Sequence, residues 1–382
     1  MRRLMCAGAV ALLVCFGGAV AGAQSTTPTG TWTFTGYGLY GYWLYGFVPS
    51  GASVNILYNG VRFAPGLDTI IEDDVGAGWQ SNNFYRNSDG SLYTGNDPVI
   101  TTYDQAEFVN DLGIRQGVLW NETQKRNLLE AFLFYRIHYD YNVQTGGAAP
   151  QLVFASNFPD RTQILGNALH AGLSYNTVAV DDIHKTEEGI YGEASVEWGP
   201  SFLFNSIGNA DYYRFNATFK GYKTLFTGST EDGTMNLFSA YLADFFGVDY
   251  AGGSSIPIYV IESYGGRYMR WSNSTSIHGL DDGHYGTDLK VLNNLELRLV
   301  GPAVIWSDLV PAVFIFVDTA YYNGFFMDPN NTPGGFIGST GAGIYLDFFG
   351  LCNFNLYFAY PFAGTRVDGS AYSISAAFNL AF

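Results

Sequence analysis

From Tyr372 to Phe382 the chain alternates with a period of two. Tyr372, Ile374, Ala376, Phe378, Leu380 and Phe382 share one face, and Ser373, Ser375, Ala377, Asn379 and Ala381 share the other. Successive side chains of a β-strand point to opposite faces, so this segment has one greasy face and one small or polar face. The pattern returns between Tyr213 and Phe219, where Tyr213, Phe215, Ala217 and Phe219 oppose Arg214, Asn216, Thr218 and Lys220. Two architectures use such strands. A soluble sandwich turns the apolar face into a core. A membrane barrel turns it to lipid and keeps the polar face for its lumen.

The N-terminus chooses between them. Met1-Arg2-Arg3 is followed by an apolar run from Leu4 to Val20 and then by Ala21-Gly22-Ala23 before Gln24, which is a charged n-region, an h-region and a small-x-small cleavage site. Residues 1–23 are therefore expected to be a signal peptide, and 24–382 the mature outer-membrane β-barrel domain. Acylation at Cys15 is the competing reading, but Leu12-Leu13-Val14 lacks the small residues such a site wants, and more apolar sequence follows. The expected fold class is all-β, a transmembrane antiparallel β-barrel in the bacterial cell outer membrane. Phe378, Leu380 and Phe382 are its expected C-terminal assembly signal, read by the barrel-assembly machinery, and outer-membrane lipids surround it.

The chain carries 47 glycines, 28 tyrosines and 30 phenylalanines yet is only 14% charged. No apolar stretch after the signal is long enough for a membrane helix, so the aromatic content points to many short strands. Loss of Arg2 and Arg3 with the signal takes the formal charge of −16 to −18. That charge opposes binding to a nucleic-acid backbone and favours cations at a barrel mouth. Only Cys352 stays in the mature chain, so no internal disulfide is expected.

Alternating segments fall at 30–37, 38–49, 53–64, 75–86, 91–103, 110–120, 127–141, 164–177, 189–199, 210–226, 234–250, 288–300, 309–323, 339–348, 351–361 and 370–382. They predict about 16 strands, the even number a single-chain bacterial barrel requires. A long loop runs from about 251 to 287.

In that loop Gly265-Gly266 precedes Arg267-Tyr268-Met269-Arg270-Trp271. After it come Asn294-Leu295-Glu296-Leu297-Arg298 and then Phe316-Val317-Asp318-Thr319-Ala320. This order resembles the bacterial surface antigen superfamily of outer-membrane barrels, the class of barrel-assembly and two-partner-secretion transporters. The resemblance implies an inward-folded loop between strands 11 and 12. It also implies a loop-lumen motif of Gly265, Gly266, Met269, Arg270 and Trp271, and strand partners Asp318, Phe316, Glu296 and Arg298. Strand alternation agrees, since Asn294, Glu296, Arg298, Phe314, Phe316 and Asp318 all fall on the face opposite Leu295, Leu297, Ile315 and Val317. Arg270 is accordingly predicted to set its planar fork against Asp318 or Glu296. Trp271 and Ala320 depart from the family pattern, which has glycine at both places. No room for the periplasmic polypeptide-transport-associated repeats of larger members is expected between Gln24 and the first strand. The chain thus resembles a reduced, barrel-only member, and the retained loop motif points to a periplasmic partner that supplies those repeats in trans.

Catalytic arrangements are the weaker reading of the same residues. Arg136, His138 and Asp140 turn into the lumen together and read as a lumen ion network in preference to a triad. His278 and His284 flank Asp281-Asp282, a spacing without metal-site logic. No zinc-protease helix, nucleophile elbow or phosphate loop is present. Glycine-rich runs such as Gly36-Tyr37-Gly38-Leu39-Tyr40-Gly41 read as strands with girdle aromatics. The expectation is a barrel without catalytic residues, cofactor or metal, acting in protein or lipid insertion or transport across the outer membrane. The alternatives are a passive channel or structural surface antigen and, less favoured, an outer-membrane enzyme.

Overall fold

The computed structural model describes residues 32–43, 47–64, 67–87, 98–144, 162–267, 270–271, 276–280, 286–304, 309–324, 334–348, 352–364, 366 and 370–381. The expected signal peptide lies outside the described residues.

Seventeen strands are present among the described residues. In chain order they are β1 (Trp32–Trp43), β2 (Phe47–Ala64), β3 (Leu67–Asn87), β4 (Pro98–Asn121), β5 (Arg126–Gln144), β6 (Gln163–Asn176), β7 (Ala179–Asp181), β8 (Thr186–Gly199), β9 (Asp211–Ser229), β10 (Asn236–Ser255), β11 (Ser263–Tyr264), β12 (Arg270–Trp271), β13 (Leu289–Val300), β14 (Leu309–Tyr322), β15 (Gly335–Phe348), β16 (Cys352–Ala363) and β17 (Ser373–Ala381). Strands β7, β11 and β12 are short pieces of connections. The other fourteen form the wall, all antiparallel, each paired with its neighbour in sequence. β6 bonds to both β5 and β8, and β1 to both β2 and β17. Every wall strand therefore has a neighbour on each side, and the sheet runs round on itself without a free edge, which is what a barrel achieves.

The all-β antiparallel class is as expected, and two local readings change. Segments 91–103 and 110–120 are one strand, β4, because its alternation runs through Asp104 to Val109 against β3 and β5 without a break. Segments 30–37, 38–49 and 53–64 are two strands, β1 and β2, divided at 44–46, so the first turn falls six residues later than the glycine-rich run suggests and the expected 16 strands become fourteen in the wall. The inward loop consequently lies between the ninth and tenth wall strands, β10 and β13.

Faces follow the alternation. Along β9, Tyr212, Arg214 and Asn216 are buried while Tyr213, Phe215 and Phe219 are exposed. Along β14, Phe314, Phe316 and Asp318 are buried while Val313, Ile315 and Val317 are exposed. The charged face is the inner one and the apolar face the outer, which reverses a soluble sandwich. Trp198, Tyr213 and Tyr250 stand near one end of adjacent strands, and Phe226 and Phe238 near the other. Roughly 13 residue steps of about 3.3 Å on strands tilted by about 40° separate these two aromatic belts by roughly 33 Å. That matches the ~30 Å hydrocarbon core of a bilayer. No helix among the described residues is long and apolar enough to cross a membrane; the crossing is made by strands.

The connection from β10 to β13 turns into the barrel. It opens with one helical turn, α1 (Ile258–Ile261), and packs its apolar side chains on the inner wall at two places. Ile256, Val260 and Ile261 lie against Ile164, Ala168, Ala210, Tyr212 and Ala251. Tyr264, Ile277 and Leu280 lie against Phe245, Leu292, Ala320 and Ile337. Burying an aliphatic side chain of this size stabilises by about 1.5–3 kcal/mol, so the loop seats itself before any ion pair is counted.

Candidate functional site in the lumen

Alternation places Arg214 of β9, Asp249 of β10 and Lys290 of β13 on the inner face, and register sets Asp249 directly beside Lys290. Arg214 Nε donates to both Asp249 oxygens at 3.0 Å, and Lys290 Nζ lies 3.5 Å from the same carboxylate. All three side chains are wholly buried. Their remaining hydrogen-bonding capacity goes to the loop's main chain. The Gly265 N–H donates to Asp249 at 2.7 Å. Arg214 Nη2 donates to Val260 O at 3.0 Å and to Ser263 O. Lys290 Nζ donates to Val260 O at 3.0 Å and Ile261 O at 2.9 Å. The carbonyls that α1 leaves without helical partners are thus taken by cations.

Three further anchors come from other parts of the wall. Arg136 of β5 divides its donors among Asp111 at 3.0 Å, Glu197 at 2.8 Å and the Gly266 carbonyl at 2.7 Å. The Arg267 N–H donates to Glu193 at 2.8 Å. Its guanidinium reaches Glu130 at 3.3 Å and Glu72 at 3.5 Å, the acids that Arg115 also bridges at 3.1 and 2.6 Å. His278 completes the set. Its backbone N–H and Nδ1 approach Asp318 Oδ2 at 2.9 and 2.7 Å, Asn294 donates to Oδ1 at 2.9 Å, and the ring lies over Phe316. Donors and acceptors on β3, β5, β8, β9, β10, β13 and β14 therefore converge on one segment, which crosses the lumen from wall to wall.

The residues singled out from the sequence are distributed as follows. Gly265 and Gly266 approach the wall closely. Gly266 has φ +96°, and a Cβ there would meet Asn216 Oδ1 at 2.8 Å and Glu193 Oε1 at 2.9 Å. Asp318 and Phe316 face the loop. Glu296 pairs along its own strand with Arg298 at 2.7 Å, and Arg298 donates to Tyr241 at 3.1 Å. Arg270 and Trp271 pair with Tyr264 and Ser263 through their backbones. Their side chains, and Met269 entirely, lie outside the described residues, as does the predicted Arg270–Asp318 contact on its arginine side. Phe378 and Leu380 stand in β17 opposite Phe354 and Cys352, and Phe382 lies outside the described residues.

Sequence reasoning missed Arg267, Glu193 and the Arg214–Asp249–Lys290 cluster as loop anchors. The available signal was an isolated charge on the inner face of a strongly alternating strand, as at Arg214 between Tyr213 and Phe215. His278, weighed as a metal ligand beside His284, is a partner of Asp318.

An antiparallel ring with an apolar exterior, a charged interior and its own loop pinned across the lumen defines a membrane-spanning β-barrel. No protein-family model matches the chain, and no curated protein does. Among solved structures it is similar to the crystal structure of BamA from Haemophilus ducreyi lacking POTRA domains 1-3. That likeness has a TM-score of 0.45 and 14% identity, covering 93% of this chain and 70% of that one. The class of the barrel stands on its own strand pairing and faces.

Proposed function

We propose that this barrel resides in the bacterial outer membrane and acts as an assembly or translocation barrel, helping a polypeptide or lipid substrate enter or cross that membrane. One observation carries the reading. Among the described residues β1 and β17 join through Gly38↔Ala381 and Leu39↔Leu380 alone, whereas β16 and β17 join through eight residue pairs and β3 and β4 through nineteen. The seam is the weakest joint in the ring, and opened strand edges are templates for an incoming strand. The pinned loop supports the same reading, because it occupies the path a passive solute would take. Membrane lipids, the barrel-assembly machinery acting on the C-terminal strand, and a periplasmic partner supplying client-binding repeats belong to this proposal. Catalysis does not.

The test is a cross-link. Gly38→Cys with Ala381→Cys, in a Cys352→Ser background, locks the seam in vesicles offered an unfolded eight-stranded outer-membrane barrel as probe. Oxidation should slow probe insertion to the lipid-only rate, and reduction should restore it. Equal rates in both states would sink the reading.

The acid-rich lumen, with Glu72, Glu107, Asp111, Glu193 and Glu197 on its wall, favours a second reading, a cation-selective passive channel. Single-channel recording separates the two. A large, steady wild-type conductance that deletion of 262–275 leaves unchanged belongs to the channel; a small or fluctuating one that becomes large and steady belongs to the loop-blocked barrel.

A further inference from the structure

The loop anchors leave one lumen cluster unused. Glu107 of β4 and Asp140 of β5 are paired directly across the ladder, and His138 lies two residues before Asp140 on the same face. Nε2 of His138 is 3.0 Å from Asp140 Oδ1 and 3.7 Å from Glu107 Oε1, and one donor atom from each of the three residues lies within 4.8 Å of the others. We propose that Glu107, His138 and Asp140 bind a divalent first-row transition cation.

Three arguments support the site. Geometry comes first: an ion held at about 2.0–2.2 Å by tetrahedral or octahedral donors separates them by about 3.0–3.6 Å, so these atoms enclose one with side-chain adjustment alone. Charge comes next. Like charges directly opposite each other in a ladder are destabilising, and among the described residues neither carboxylate has a hydrogen-bond or ion-pair partner except His138. The nearby guanidinium of Arg136 is committed to Asp111 and Glu197. The third argument is preorganisation. The His138 ring is stacked on Tyr259 of α1 at 3.8 Å and 12°, which fixes the direction in which Nε2 points. His138 and Asp140 are buried, while Glu107 is a quarter exposed toward the lumen, leaving a side for water ligands. One imidazole and two carboxylates suit Zn²⁺, Mn²⁺ or Fe²⁺ and not a soft ion such as Cu⁺.

The site also touches the loop. Tyr259 rests on His138 and bonds Tyr212 at 3.1 Å, and Tyr212 bonds Glu197 at 2.6 Å. A bound ion would stiffen the surface on which α1 lies, so metal binding and loop seating would strengthen each other.

Zn²⁺ alone, titrated into the refolded and chelator-stripped full barrel, tests this by calorimetry and by metal analysis after desalting. One equivalent should bind to the wild type. Affinity should fall at least tenfold in Glu107→Gln and in Asp140→Asn, and remain in His184→Ala, which removes a histidine at the β7–β8 turn. Zinc should raise the unfolding temperature of the wild type and leave those of the two carboxylate variants unmoved. No stoichiometric binding, or full affinity retained by both carboxylate variants, would overturn the proposal. Glu107 is a quarter exposed, so its variant keeps the test usable where a variant of the buried His138 fails to fold.

Discussion

Arg214 and Asp249 meet inside the barrel with Nε at 3.0 Å from both carboxylate oxygens, and the same carboxylate takes the Gly265 N–H at 2.7 Å. An ion pair between two wall strands is therefore also a fastening of the loop, and Lys290 approaches the same carboxylate as a second basic group at 3.5 Å.

Asp249→Ala leaves Arg214 and Lys290 buried without their carboxylate. Removing one member of such a pair costs about 3–5 kcal/mol. The variant should unfold at a lower temperature on semi-native gels and be cut by protease within 262–275. Asp249→Asn, which keeps an acceptor for Gly265, should lose less. Wild-type heat resistance and wild-type protection in the alanine variant would show that the loop is held elsewhere.

Gly266→Ala should loosen the loop at a close contact with the wall. The residue's φ of +96° disfavours an L side chain, and the added Cβ meets Asn216 and Glu193 below 3 Å; such strain costs about 1–3 kcal/mol. Gly192→Ala on β8 is the matched control, since a Cβ there meets nothing within 4 Å. Equal stability of the two variants would refute the account.

The Arg270–Asp318 pair implied by family resemblance can be separated from the His278–Asp318 pair by double-mutant cycles. Contacting residues couple by about 0.5–3 kcal/mol. Coupling of Asp318→Ala with His278→Ala is expected from the 2.7 Å contact. Coupling with Arg270→Ala is expected if the arginine shares that carboxylate, and strict additivity there would remove Arg270 from the site.

Arg267→Ala should raise the cation-to-anion permeability ratio of the barrel. Among the described residues Glu72 and Glu130 would then keep Arg115 alone as a bridging cation. Reversal potentials across a KCl gradient measure it, and an unchanged ratio would mean that these acids lie off the conduction path.

The wall was legible because its chemistry is local. A period of two can be read from Tyr213 to Lys220 or from Val313 to Asp318 without knowing the neighbouring strands, and it told inside from outside at each position. Turn placement was harder where the first strands alternate tyrosine with glycine, since such runs do not reveal where β1 ends. The lumen cluster at Arg136, His138 and Asp140 was visible on one strand, but its partners Asp111 and Glu197 come from β4 and β8. Which acid meets which base is set by register and by the path of the loop, and neither is written in any single segment. The same reason hid Arg267, whose guanidinium meets acids on β3 and β5, far away in the chain.

The wall holds the loop largely by its main chain, through the carbonyls of Val260, Ile261, Ser263 and Gly266 and the N–H groups of Gly265, Arg267 and His278. A receptor that grips peptide groups is indifferent to much of what hangs from them. Side chains of the segment that do not touch the wall are consequently free to be rewritten, by evolution or by an engineer, without rebuilding the barrel, as long as Gly265 and Gly266 keep their backbone shape.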